Sequence, residues 1–148
     1  MKKIIITLSI LFSLNLIGGE VGNEAILYRI QKEKTDKEIG VYVERVFNRR
    51  YSILSKTYLN SNELKELYQL VKKAEATEDS EDSFCGHDPG FALIVYKKNS
   101  IIYEGSYCFK CLTIGEPTKS RRWGTKDMKR GSDTEKVKEY LLKKTEKK

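Results

Sequence analysis

Three cysteines and a single histidine carry the soft-ligand and thiol chemistry of this chain, and they fall in two short blocks. The first is Cys85-Gly86-His87 and the second is Cys108-Phe109-Lys110-Cys111. Cys-x-x-Cys offers two sulfurs from one turn, and three thiolates with a neutral imidazole form an accepted tetrahedral zinc set. Cys85, His87, Cys108 and Cys111 are therefore the candidate metal ligands, with zinc the implied cofactor, although Cys-x-His is tighter than the usual spacer. The same residues allow other chemistry. Cys108 and Cys111 can form a disulfide, or Cys85 can bond one of them and leave an odd thiol.

Two catalytic alternatives use the same atoms. Cys108 and Cys111 could run thiol–disulfide exchange, with Lys110 stabilising a thiolate. Redox Cys-x-x-Cys pairs normally open a helix, however, and Leu112-Thr113-Ile114 is a poor helix start. Cys85 as nucleophile with His87 as base lacks a third, orienting group. No Ser-His-Asp set, glycine-rich phosphate loop or His-Glu-x-x-His motif is readable. A non-enzymatic role is the preferred expectation, and no catalytic residue is assigned.

The two blocks must be brought together by what lies between them. Residues 91–96 and 101–107 are rich in β-branched and aromatic side chains, with Lys97-Lys98-Asn99-Ser100 between, a hairpin pattern. A two-residue loop at Lys98-Asn99 pairs Lys97 with Ser100 and Ala92 with Gly105, and brings Cys111 opposite Gly86. A three-residue loop puts Cys111 opposite His87. Either register places Cys-x-His beside Cys-x-x-Cys.

The block from Phe84 to Gly90, followed by an apolar hairpin and Cys108-Phe109-Lys110-Cys111, resembles a pattern in small uncharacterised exported bacterial proteins. The resemblance spans residues 60–112, including a capped helix before the block, and implies no particular activity.

Composition bounds the rest. At 148 residues, 39% hydrophobic and 33% charged, the chain has the length of one domain with a core. Met1-Lys2-Lys3 before the apolar stretch 4–17 has the form of an export signal, too short for a span of about 20 residues. The expected division is a signal peptide at 1–19 and a single α+β domain at 20–148, working in the periplasm or secreted, with no transmembrane span after cleavage. Removing Lys2 and Lys3 takes the net charge from +7 to +5. That charge favours an acidic protein or an anionic envelope surface as partner. Export disfavours nucleic acid.

Along the chain, residues 24–32, 38–47 and 51–58 alternate as strands joined by short polar turns, which predicts an antiparallel meander. Asn60 or Ser61 can cap a helix, with Glu63 completing a capping box, and Leu64, Leu67, Tyr68, Val71 and Ala74 form its apolar stripe. The acidic run 75–82 lacks the EF-hand pattern and reads as a solvated loop. Residues 112–114 extend the last strand. Residues 119–130 hold Arg121, Arg122, Trp123 and Lys126, which could bind an anion or a partner but read more simply as a solvated loop. Ser132-Asp133-Thr134-Glu135 reads as a capping box opening a C-terminal helix with Val137, Tyr140 and Leu141 inward. The expected fold is α+β, an antiparallel sheet of about five strands with one packed amphipathic helix and a C-terminal helix.

Overall fold

The computed structural model describes residues 23–76, 86–117 and 122–146; the expected signal peptide, Cys85, Arg121 and most of the acidic run lie outside them. The fold is α+β, as expected, but the sheet has seven strands rather than about five. In chain order the elements are β1 (Asn23–Gln31), β2 (Gly40–Glu44), β3 (Arg49–Leu59), α1 (Ser61–Ala74), β4 (Phe91–Lys97), β5 (Ser100–Cys108), β6 (Thr113–Pro117), β7 (Trp123–Asp127) and α2 (Ser132–Thr145).

All pairings are antiparallel, in the order β2-β3-β1-β4-β5-β6-β7. The expected β1-β2-β3 meander is therefore corrected: β1 sits between β3 and β4, and β2 is at the edge. The physical reason is burial on both faces of β1. Ala25 and Leu27 pack into the cluster under the helices, while Ile30 packs with Tyr42, Tyr51 and Ala92 on the opposite face. A strand apolar on both sides belongs in a sheet's interior.

The two extra strands have separate causes. The chain turns after Cys108, with Leu112 at φ 54°, so β6 folds back on β5 instead of prolonging it. β7 is made from the stretch that read as a loop. It is polar, and it is a strand because β6 offers it a ladder from Thr113↔Asp127 to Pro117↔Trp123.

Both helices cover one face. Leu64, Leu67, Val71 and Ala74 of α1 join Val137 and Leu141 of α2 over Leu27, Leu59, Leu93 and Val95. Asn60 caps α1 as expected: its side chain accepts from Glu63 N–H at 3.0 Å, and the Glu63 carboxylate accepts from Asn60 N–H at 2.9 Å. The capping box expected at Ser132 is absent. Gly131, at φ 132°, is the N-cap, Ser132 is already helical, and the Thr134 hydroxyl donates to the Lys129 carbonyl instead.

Among the described residues no helix covers the other face, where strands remote in the sheet order meet. Three strands separate β2 from β5 in the sheet order, yet Arg45 Nε, just past β2, lies 3.6 Å from Glu104 Oε1 of β5. The sheet therefore curls, and the β2–β3 connection closes over β5 and β6. Sheets twist strongly enough for such closure once several strands accumulate.

Candidate functional site

The hairpin that was to bring the two blocks together forms as its turn chemistry requires. Lys98 and Asn99 both take positive φ, 48° and 66°, which is the backbone of a two-residue type I′ turn, and Lys97 pairs with Ser100. A register shift at Val95/Tyr96 moves the remaining pairs by one, so Ala92 faces Ser106 rather than Gly105.

Beyond the hairpin, residues 86–90 lie as a strap tied to four strands. Gly90 N–H donates to the Tyr107 carbonyl at 3.1 Å, and Ile30 N–H donates to the Gly90 carbonyl at 2.9 Å. The Tyr51 hydroxyl donates to Asp88 Oδ1 at 2.7 Å. Cys111 Sγ lies 3.1 Å from the Gly86 carbonyl oxygen, but not through the counted ladder: the register has shifted by one and β5 ends at Cys108, so the two meet through the turn that follows.

His87 points inward and is 1% exposed. Its Nε2 lies 2.7 Å from Ser106 Oγ and its Nδ1 2.9 Å from Thr113 Oγ1. In a neutral imidazole one nitrogen donates to a hydroxyl and the other accepts from one, so both ring positions are satisfied. Burial pushes the His87 pKa down to about 4; Asp88 pulls it upward and Arg49 pushes it further down. Gly115 makes room for the ring: a Cβ there would stand 2.6 Å from Ser106 Oγ, 2.8 Å from His87 Nε2 and 2.9 Å from Val46 Cγ2.

The cysteines divide. Cys108 is a free thiol, fully buried, and its sulfur accepts from the Cys111 N–H at 3.3 Å. Cys111 is disulfide-bonded. The expected Cys108–Cys111 disulfide is thus corrected, because the Cys108 thiol ends β5 facing the interior, opposite Thr113 in the ladder. Of the four expected metal ligands, three are described: His87, Cys108 and Cys111. The imidazole nitrogens face hydroxyls and the Cys111 sulfur is already bonded. Among the described residues no group of three or more His, Cys, Asp or Glu side chains gathers as a metal would need.

The arrangement has the outline of a nucleophile and base, since Ser106 and His87 are in hydrogen-bond contact. A reacting carbonyl would have to reach Ser106 Oγ, and Ser106 is 1% exposed. The sequence reading missed Ser106 and Thr113 as partners of His87. Their signal in the sequence is one of position alone: hydroxyl residues two before Cys108 and two after Cys111.

Beside the strap lies further buried polarity. Glu44 is fully buried and its carboxylate accepts from Val46 N–H and from Phe47 N–H, the latter at 3.0 Å, holding the β2–β3 turn. The Tyr42 hydroxyl is buried near Glu104 and has no hydrogen bond of normal geometry among the described residues; burial first, then the Glu104 charge, raises its pKa.

The expected partner-binding residues do not form one free patch. Arg122 is exposed and Trp123 half-buried, but Lys126 forms ion pairs with Glu116 and, at 3.8 Å, with Glu75. Among the described residues no helix is long and apolar enough to cross a membrane. Comparison with known proteins gives no match to any family model, curated protein or solved structure.

Proposed function

We propose that this chain is an exported, non-enzymatic binding protein in which the Cys/His segment is a fastener. The observation that carries the reading is His87, buried with both ring nitrogens bonded to hydroxyls on β5 and β6. A histidine held this way locks the strap to the sheet and has no lone pair left for a metal or a substrate proton. The disulfide at Cys111 supports export, since such bonds persist in oxidising compartments. With Cys108 free and three cysteines in the chain, we assign Cys85 as its partner. The net positive charge supports an acidic protein or anionic surface as what is bound.

The thiol–disulfide oxidoreductase reading is weaker on the same observations. An exchange thiol must be exposed and its thiolate stabilised, whereas Cys108 is fully buried at the end of a strand. Peptide mapping of the oxidised protein after alkylation, together with metal analysis, tests the proposal. A Cys85–Cys111 cross-link, alkylated Cys108 after unfolding and negligible zinc are expected. One zinc per chain, or a Cys108–Cys111 cross-link, would overturn it.

A further inference from the structure

On the helix-covered face, opposite His87, a cavity of about 240 Å³ opens between α1 and strands β4 to β7. Leu67 and Val71 of α1 and Leu93 and Val95 of β4 form its apolar walls. An apolar cavity of about 150 Å³ admits benzene, so this one has room for a single ring carrying a short chain. Tyr103 and Tyr107 stand inside it. Burial first raises both phenols; the neighbouring Tyr107 then raises Tyr103, a hydrogen bond with Tyr103 lowers Tyr107, and Glu116 and Glu75 add smaller upward pushes to each.

The charges at the mouth are layered by depth. The Glu75 and Glu116 side chains are 19% and 17% exposed, whereas Lys72 and Lys126 are 44% and 48% exposed. Lys72 Nζ reaches Glu75 at 3.0 Å, and Lys126 Nζ pairs with Glu116 and lies 3.8 Å from Glu75. The acids are inner, and the ammonium groups sit over them from outside on long stems. A ligand cation entering the mouth can take the place of a lysine ammonium and leave both carboxylates paired. A ligand anion would meet the two inner carboxylates. Tyrosine faces beside an ammonium add cation–π attraction.

We propose that this pocket binds small organic ammonium ions with an apolar, single-ring body, the chemistry of an arylalkylamine. It shares no residue with the Cys/His fastener, so its failure would leave that reading standing.

Calorimetric titration of the full, oxidised protein with phenethylamine, 3-phenylpropionate and 2-phenylethanol is the test. One saturable site for phenethylamine is expected, at least tenfold tighter than for the anion or the alcohol. Glu75→Gln with Glu116→Gln should weaken it tenfold or more. Ile102→Trp, a half-buried lining position that tolerates bulk better than the core, should abolish binding while the fold persists. Equal or tighter binding of 3-phenylpropionate or 2-phenylethanol would overturn the proposal. So would the absence of saturable phenethylamine binding, or unchanged binding in either variant; if the double Gln variant fails to fold, Ile102→Trp alone decides.

Discussion

The sharpest constraints in this protein sit on single residues around one imidazole. Gly115 is needed because its neighbours already occupy the space of a Cβ, and each is held by packing or a hydrogen bond. Gly115→Ala is therefore expected to cost about 2 kcal/mol, within the range for overpacked interiors. Gly90→Ala, where a Cβ would meet nothing within 4 Å, is the control and should change stability little. Urea denaturation of the two variants checks this. His87 makes a second prediction through protonation. Unfolded, it titrates at its ordinary 6.5; folded, at about 4. Between those values the unfolded chain binds a proton that the folded chain refuses, so stability rises with pH across the window. The contribution is fully present above pH 6.5 and is lost as pH falls to 4, by at most about 3 kcal/mol. Denaturation curves at pH 7 and 4.5 should show the drop, and His87→Gln should remove most of the difference between the two.

At the scale of elements, α1 and α2 are joined by polar ties as well as by their apolar stripes. The Tyr140 hydroxyl donates to the Glu63 carbonyl at 2.9 Å, and Lys144 Nζ pairs with the Glu63 carboxylate. Glu63 is also half of the Asn60 capping box. Losing the cap by Asn60→Ala should cost about 1 kcal/mol. Tyr140→Phe removes one net hydrogen bond, worth about 1 kcal/mol. The two changes act on one turn of α1, and the double variant should depart from additivity. Thermal or chemical denaturation of both single variants and the double variant measures that coupling.

Across the whole molecule, closure of the uncovered face depends on contacts between strands remote in the sheet. Arg45 is half-exposed and Glu104 is buried, so Arg45→Ala leaves a buried carboxylate without its ion-pair partner. Solvent at the arginine limits the loss to about 1 kcal/mol. The covalent tie at Cys111 contributes more. On the proposed pairing with Cys85, the closed loop restricts the unfolded chain by about 3 kcal/mol. Cys111→Ser should lower the unfolding free energy by about that amount, read from denaturation under non-reducing conditions, while the wild-type protein in reductant should fall to the same value.

Elements whose cause is local could be read directly along the chain. Lys98-Asn99 accepts positive φ, so the β4–β5 turn was legible. Asn60 and Glu63 satisfy each other across one helical turn, so the start of α1 was legible too. That the 86–90 segment returns beside the end of β5 was legible as well, whereas its register was not, because the shift at Val95/Tyr96 moves every later pair by one. Features that depend on partners far along the chain emerged only with folding. β7 has no apolar alternation of its own and is a strand because β6 lies beside it. β1 is central because the chain elsewhere supplies apolar cover for both its faces. His87 faces Ser106 and Thr113 because the closed sheet buries it against β5 and β6, where two hydroxyls satisfy a neutral ring. Local backbone preference acts over a few residues and is written in order along the chain; burial is a property of the closed sheet and exists only once the chain has folded.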